Sequence, residues 1–270
     1  MVKVELNLAG LWGKYFSRLQ RLFDISMFLK SGCAELQEGE LRDLGTLMVF
    51  HLASGDRPPF EEMRAQADQW LLRGFFRDAM EHTGLFLDEC LTACAFIELS
   101  ARKKATGAEL KQLLSVGPKK IHKLHLPQKL EKLERDYGID SPLAAHILSM
   151  NKLRACVVHR LGVVSALDVD DSASLRVRWR TTRLTARGET SGHEVLLDRP
   201  GVHITEGSVI QLQFIDHEKA FALGEKIELS AEEVHACLVT FFHFGQSTAQ
   251  LVEAFAKRLG LELREAAKNA

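Results

Sequence analysis

The residues with the clearest chemical potential are an arginine and a histidine five positions apart, Arg154 and His159. A histidine exchanges protons near neutral pH, so it can act as a general base toward a hydroxyl group. An arginine stays charged and can hold a phosphate through two hydrogen bonds, which stabilises charge that develops there. RNA cleavage without a metal needs both functions, because the 2′-hydroxyl must lose a proton while charge builds on the phosphate. The pair therefore fits metal-independent phosphodiester chemistry.

The segment around this pair resembles a known motif. Residues 151–162 read Asn-Lys-Leu-Arg-Ala-Cys-Val-Val-His-Arg-Leu-Gly, on a predicted helix over 142–161 that ends at its glycine. An arginine, four residues and a histidine resemble the R-x4–6-H motif of the HEPN superfamily. The context Cys-Val-Val-His-Arg-x-Gly-Val-Val strengthens the resemblance, which extends over residues 70–165 and the last helix.

The resemblance implies a helical bundle that dimerises and brings two motifs together. It implies a metal-independent endoribonuclease that acts on RNA in toxin–antitoxin or anti-phage defence, with Arg154 and His159 as its catalytic residues. An antitoxin or another defence-system protein is the partner it suggests. Active family members usually carry a polar residue directly after the arginine, and here that residue is Ala155. This departure favours an alternative, a catalytically inactive RNA-binding or protein-interaction module within a defence assembly.

Helix geometry constrains how the pair could act together. An α-helix turns about 100° per residue, so Arg154 and His159 lie about 140° apart around the axis. A site that uses both needs the arginine to wrap around the helix, a frayed helix end, or a second protomer. Asn151, one turn before the arginine, could supply a supporting polar contact. The structural interpretation is that Arg154 and His159 cap the helix end or form salt bridges there.

A second basic feature lies on a predicted strand, where Leu175, Val177 and Trp179 alternate with arginines. The candidate nucleic-acid-binding residues are Arg176, Arg178, Arg180, Arg183 and Arg187, together with Lys119 and Lys120 in a basic connector over 115–126. Rows of cations of this kind bind phosphate backbones. The alternative is a solvated sheet face whose charges protect a strand edge.

Other chemical signatures are missing from the sequence. The segment 116–120 lacks the second glycine and the Ser or Thr of a phosphate-binding loop. Cys90 and Cys94 share a helix face, but neither they nor the nearby pair His122 and His125 have an obvious second pair of zinc ligands. We therefore expect neither a metal nor a cofactor.

The periodicity of apolar residues predicts a mainly α fold, a helical bundle with a small antiparallel β insertion before the last helix. The motif resemblance implies that this bundle is HEPN-like. The predicted units are a bundle over 1–165, a β insertion over 170–229, and one or more C-terminal helices over 230–265. Predicted helices include 40–52, a long helix over 59–104 bent or broken near Gly74 or Gly84, and a last helix over 231–259 with a possible break at Gly245. Further strands are predicted over 194–197, 209–214 and 226–229.

Composition favours an ordinary globular protein. Apolar residues make up 46% and charged residues 26% of the chain, and 35 Lys and Arg nearly balance 36 Asp and Glu. No apolar run approaches the ~20 residues of a membrane span, and five cysteines favour reduced thiols. We expect a cytoplasmic protein with no membrane partner. An acidic block over 35–98 and a basic block over 101–135 could bind other molecules or face each other in the fold.

Overall fold

The computed structural model describes residues 7–38, 58–102, 106–199, 201–204 and 206–261. The predicted helix over 40–52 lies outside these residues. The helices are α1 (Leu8–Glu35), α2 (Phe60–Ala101), α3 (Gly107–Ser115), α4 (Gly117–His122), α5 (Leu126–Tyr137), α6 (Ala144–His159) and α7 (Ala231–Arg258). The strands, all between α6 and α7, are β1 (Ser174–Gly188), β2 (Glu194–Leu196) and β3 (Ser208–Ala222). The mainly α fold with a small antiparallel sheet before the last helix is confirmed.

Helix α2 is the centre of the bundle and packs against α1, α6 and α7. It passes through Gly74 and Gly84 without interruption, so the helix is not broken at either glycine. A glycine inside a helix costs about 1 kcal/mol relative to alanine. Buried side chains on consecutive turns, including Phe75, Phe76 and Phe86, offset that cost through their packing.

Helix α7 is also continuous, and the possible break at Gly245 does not occur. A Cβ atom at this position would lie 2.4 Å from the ring of Tyr15, which is fully buried in α1. The glycine therefore allows the close approach of α1 and α7 and does not interrupt the helix. The Tyr15 hydroxyl lies 2.9 Å from Thr83 Oγ1 of α2, which connects all three helices.

The predicted basic connector over 115–126 is partly helical, because α4 forms within it. Pro118 occupies the first turn of α4, where its missing N–H costs nothing. Ile121 is buried against the bundle. Just after α4, Lys129 of α5 pairs with Asp88 of α2 at 2.6 Å, so the basic and acidic blocks do meet at this point.

The sheet has the strand order β2-β1-β3, with both neighbours antiparallel to β1. Strand β3 is longer than predicted and pairs with β1 over its whole length without a bulge. The predicted strand over 226–229 is wrong, since only an isolated bridge joins Val163 and Lys226. No helix in the described part of the chain is long and apolar enough to cross a membrane.

Candidate functional site

The helix that carries the Arg–His pair is shorter than predicted at both ends. It begins at Ala144, with Leu143 in the cap position, and ends at His159. The N–H groups of Arg160 and Gly162 both donate to the carbonyl oxygen of Cys156, at 2.9 and 3.2 Å. Two left-handed residues, Leu161 and Gly162, then turn the chain away. His159 is therefore held at the last position of a well-defined helix end.

Arg154 is half-buried in α6, with Leu153 fully buried beside it and Val157 fully buried one turn later. Its Nε is shielded from solvent and has no hydrogen-bond partner, and its guanidinium forms no ion pair with any described residue. A buried donor without a partner costs about 1–3 kcal/mol. An acceptor that reached this Nε would remove that cost.

His159 is exposed, and its ring forms no hydrogen bond with any described residue. It does not contact Arg154 through a hydrogen bond, as the predicted 140° separation implies. Asn151 is half-buried one turn earlier and is not bonded to Arg154 either. Within the described residues of one protomer, the predicted catalytic and supporting side chains are near one another in sequence but do not form a joined site.

The next residue, Arg160, is fully committed to the fold. It donates to both carboxylate oxygens of Asp168, from Nε to Oδ2 at 2.7 Å and from Nη2 to Oδ1. The backbone and hydroxyl of Ser165 also donate to this carboxylate. Burial alone would raise the pKa of Asp168, but these hydrogen bonds outweigh it and hold the pKa below its ordinary value. This cluster fixes the chain that leaves the end of α6.

The predicted row of Arg176, Arg178 and Arg180, here called the arginine row, does lie on one face of β1. The other face carries Leu175, Val177 and Trp179, all buried. On the side of β1 that faces away from β3, two backbone N–H groups donate to hydroxyl groups of neighbouring helices. Arg178 N–H donates to Ser149 Oγ of α6 at 2.9 Å, and Arg180 N–H donates to Thr240 Oγ1 of α7 at 2.7 Å.

Acidic residues on β3 face the arginine row. Arg178 Nε lies 2.7 Å from Glu218 Oε2, and Arg176 Nη1 lies 3.3 Å from the other oxygen. Arg180 Nε lies 2.6 Å from Asp216 Oδ1. The hydrogen bonds from these arginines lower the pKa of both carboxyl groups. Much of the positive charge of the row is thus compensated within the sheet.

The remaining predicted nucleic-acid contacts do not extend this row. Arg183 and Arg187 are exposed on the opposite face of β1, because an unbroken register alternates the faces. Lys119 and Lys120 are exposed on α4, which packs against α2 and α3. None of these four forms an ion pair with a described residue. The seven predicted cations therefore lie on three separate surfaces.

Two contributors to this region were missed from the sequence, the acids of β3 and His146 of α6. His146 is buried, with Nε2 3.2 Å from Asp216 Oδ1, and burial lowers its pKa. The predicted strand ended at Phe214, so Asp216 and Glu218 were not placed in the sheet. Asp216 and Glu218 follow Phe214 at intervals of two residues, and this spacing could have placed all three on one face of a longer strand.

The described residues contain no group of three or more His, Cys, Asp or Glu side chains placed to hold a metal ion. Cys90 and Cys94 are buried free thiols, and burial raises the pKa of Cys94 to about 12. They pack as small apolar side chains.

No protein-family model, curated protein or solved structure matches this chain.

Proposed function

We propose that the protein is a metal-independent endoribonuclease with HEPN-like chemistry whose site is assembled across a homodimer. The observation that carries this proposal is that Arg154 and His159 both lack partners among the described residues yet lie on different faces of α6. A two-fold axis near the end of α6 would bring the arginine of one protomer to the histidine of the other. The proposed setting is toxin–antitoxin or anti-phage defence in the cytoplasm.

The proposed reaction uses the two side chains in different roles. His159 accepts the proton of the RNA 2′-hydroxyl, and the 2′-oxygen attacks the adjacent phosphorus. The bond to the 5′-oxygen breaks, and that oxygen takes a proton to become a hydroxyl. Arg154 binds the non-bridging phosphate oxygens, where negative charge increases. The products are a 2′,3′-cyclic phosphate and a 5′-hydroxyl end.

The first test is cleavage of end-labelled single-stranded RNA and tRNA in the presence of EDTA. Wild-type protein should leave 2′,3′-cyclic phosphate ends, and His159→Ala should not cleave. His193→Ala is the matched control, because His193 is also exposed but lies in the turn before β2. An intact RNA with folded wild-type protein, including after addition of the protein encoded beside it, would contradict the proposal.

A second test asks whether the site is shared between protomers. Arg154→Ala and His159→Ala variants are mixed after dissociation and reassembly. In a shared site, the mixed dimer keeps one intact combination, so about a quarter of wild-type activity should return. If both residues act within one protomer, no combination is intact and mixing restores nothing.

The second candidate function is a non-catalytic interaction module. It is favoured by Ala155 and by the acidic partners that already occupy the arginine row. This candidate predicts that His159→Ala leaves a cellular phenotype unchanged. Reversing the charges of Arg176, Arg178 and Arg180 to Glu should abolish the phenotype, because the sheet surface is then what the partner contacts.

A further inference from the structure

Among the described residues, no strand pairs with the outer edge of β3. The N–H groups of Arg178 and Arg180 point away from β3, toward Ser149 and Thr240. In an antiparallel pair, the residues directly opposite must then also point outward on their own side. Because the register is unbroken, Ile210, Leu212 and Phe214 present their N–H and C=O groups to the outside of β3. These groups bond to no other described residue.

The same residues are unusually apolar for an open edge. Ile210, Leu212 and Phe214 are 52%, 54% and 50% exposed, and Leu184 beside them on β1 is 39% exposed. All four side chains lie on the face that carries the arginine row. They form a continuous exposed strip, here called the β3 strip. Exposed apolar patches of this kind mark interaction surfaces.

The usual protection of an edge strand is missing here. Natural edge strands carry Lys, Pro or a bulge that prevents pairing with another chain. The segment 208–215 reads Ser-Val-Ile-Gln-Leu-Gln-Phe-Ile, with no charge, no proline and no bulge. An unprotected edge in a chain that is otherwise rich in charge is expected to be covered by a partner strand.

The strand is complementary to itself when Leu212 lies on a two-fold axis. In that antiparallel register, Leu212 faces Leu212 of the second copy and Ile210 faces Phe214. On the other face, Gln211 meets Gln213 and Val209 meets Ile215. Ser208 lies opposite Asp216 on the same face as Leu212. Moving the axis by one residue, to Gln213, places Ile210 opposite the charged Asp216. Only the register centred on Leu212 pairs apolar with apolar and amide with amide.

We infer that β3 pairs edge to edge with β3 of a second copy of this chain, with Leu212 on the two-fold axis, so that the two sheets form one continuous sheet. The pairing spans nine residues of each strand, from Ser208 to Asp216, a strip about 30 Å long. With the side chains of the β3 strip it buries roughly 1,000 Å², at the low end of specific interfaces. The dimer should therefore dissociate on dilution. This axis is distinct from the one near the end of α6 in the nuclease proposal, and a closed dimer has only one of the two. A Leu212→Lys variant that still dimerises would therefore favour the α6 axis.

The first experiment measures the mass of the full chain in solution by light scattering and analytical ultracentrifugation across a dilution series. Wild-type protein should change from twice 30.3 kDa to the monomer mass as it is diluted. Leu212→Lys places two like charges opposite each other on the axis, so this variant should stay monomeric. Leu114→Lys is the matched control, because Leu114 on α3 is 55% exposed, close to the 54% of Leu212, and lies outside the sheet, so this variant should dimerise like wild type.

The second experiment tests the register by disulfide formation in a Cys33→Ser background. Leu212→Cys meets its own copy at a Cα separation of about 5.5 Å, which permits a disulfide. Phe214→Cys lies on the same edge and face, but its own copy is about 14 Å away, too far for a disulfide. Oxidation should crosslink the first variant and leave the second largely monomeric.

Several outcomes would overturn the inference. These are a wild-type monomer at every concentration, open-ended polymers in place of a dimer, a Leu212→Lys variant that dimerises like wild type, and equal crosslinking of Phe214→Cys and Leu212→Cys. The nuclease proposal is tested separately, because RNA cleavage is not a readout in either experiment.

Discussion

Arg154 on α6 and Arg178 on β1 are both arginines on regular elements, but the fold treats them differently. Arg178 faces a carboxylate 2.7 Å away on the neighbouring strand. Arg154 is more buried, and no described residue supplies it with an anion. A sequence count treats both as basic residues available to RNA. What lies opposite each one decides its availability, because an arginine that already binds a carboxylate must give it up to bind a phosphate.

The same contrast occurs within one helix end. Arg160 directly follows the motif histidine and is bound by Asp168 through two hydrogen bonds. Its role is structural, since it holds the chain that leaves α6. Arg154 is thus an unpaired cation, Arg178 belongs to a surface ion pair, and Arg160 belongs to a nearly buried ion pair. Each of the following predictions separates these cases.

The largest expected effect is the loss of RNA cleavage when either of the two unpaired side chains, Arg154 or His159, is removed. Arg154→Ala and His159→Ala should each lower RNA cleavage by about 10²–10⁴-fold, the usual contribution of a catalytic acid, base or charge-stabilising group. Arg178→Ala should change the rate by only a few-fold. Initial rates on labelled RNA provide the measurement. Comparable losses in all three variants would mean that paired and unpaired arginines are not functionally distinct.

The next largest effect is on stability. Asp168→Ala leaves Arg160 without its partner and should lower the free energy of unfolding by about 2 kcal/mol, less than for a fully buried pair because Arg160 keeps some solvent contact. Chemical denaturation measures this directly. The control is Asp171→Ala, an exposed acid nearby with no partner among the described residues. Equal effects of the two substitutions would show that the Arg160–Asp168 pair contributes nothing specific.

A smaller effect, on RNA affinity, is expected when the acidic partners of the arginine row on β3 are neutralised. Asp216→Asn combined with Glu218→Gln should free Arg178 and Arg180, whereas Arg176 keeps Asp170 Oδ2 at 3.7 Å from its Nε. The double variant should increase affinity for single-stranded RNA at low salt. The slope of log affinity against log salt should steepen by about 1.4 if both then bind phosphates. Filter binding across a salt series is the measurement.

The control for this double variant changes the same net charge elsewhere. Asp140→Asn combined with Asp198→Asn removes two exposed acids that have no partners among the described residues. If this control raises affinity equally, only the overall charge matters and the row is not an RNA surface.

The smallest effect is a pH dependence of stability in the sheet. The pKa of Asp216 is lowered in the folded state by its hydrogen bond to Arg180. Its contribution is therefore fully present above the unfolded-state pKa and is lost as pH falls through the folded-state pKa. Wild type should exceed Asp216→Asn in stability by less than about 1 kcal/mol near pH 6. This difference should vanish in acid, as thermal unfolding at several pH values would show.

Much of the helical framework follows from local signals. Thr106 with Glu109 and Ser230 with Glu233 form capping boxes, whose Ser/Thr-x-x-Glu spacing is visible in the sequence. The alternation from Leu175 to Trp179 predicted β1 and its buried face correctly. These signals succeed because a cap or an alternating strand is decided by residues within a few positions of one another.

Sequence patterns failed to predict the structure where a segment far along the chain determines the local conformation or contact. Gly245 resembles a helix break in sequence, but the ring of Tyr15 across the bundle requires a residue without a Cβ. Within the candidate site, the identities of Arg154 and His159 were read from the sequence, and their lack of partners was not. The acids opposite the arginine row were missed because strand register depends on the whole β1–β3 pair.

The sequence by itself determined the chemical types, the helix carrying the Arg–His pair and the two faces of β1, because these depend on local spacing and periodicity. Only the tertiary structure decided which cations keep their charge available and which strand edge stays open. Both depend on groups brought together from far along the chain, such as Arg180 with Asp216. Electrostatic compensation and edge pairing act over a few ångströms in space, so they become visible only when the fold has set those distances.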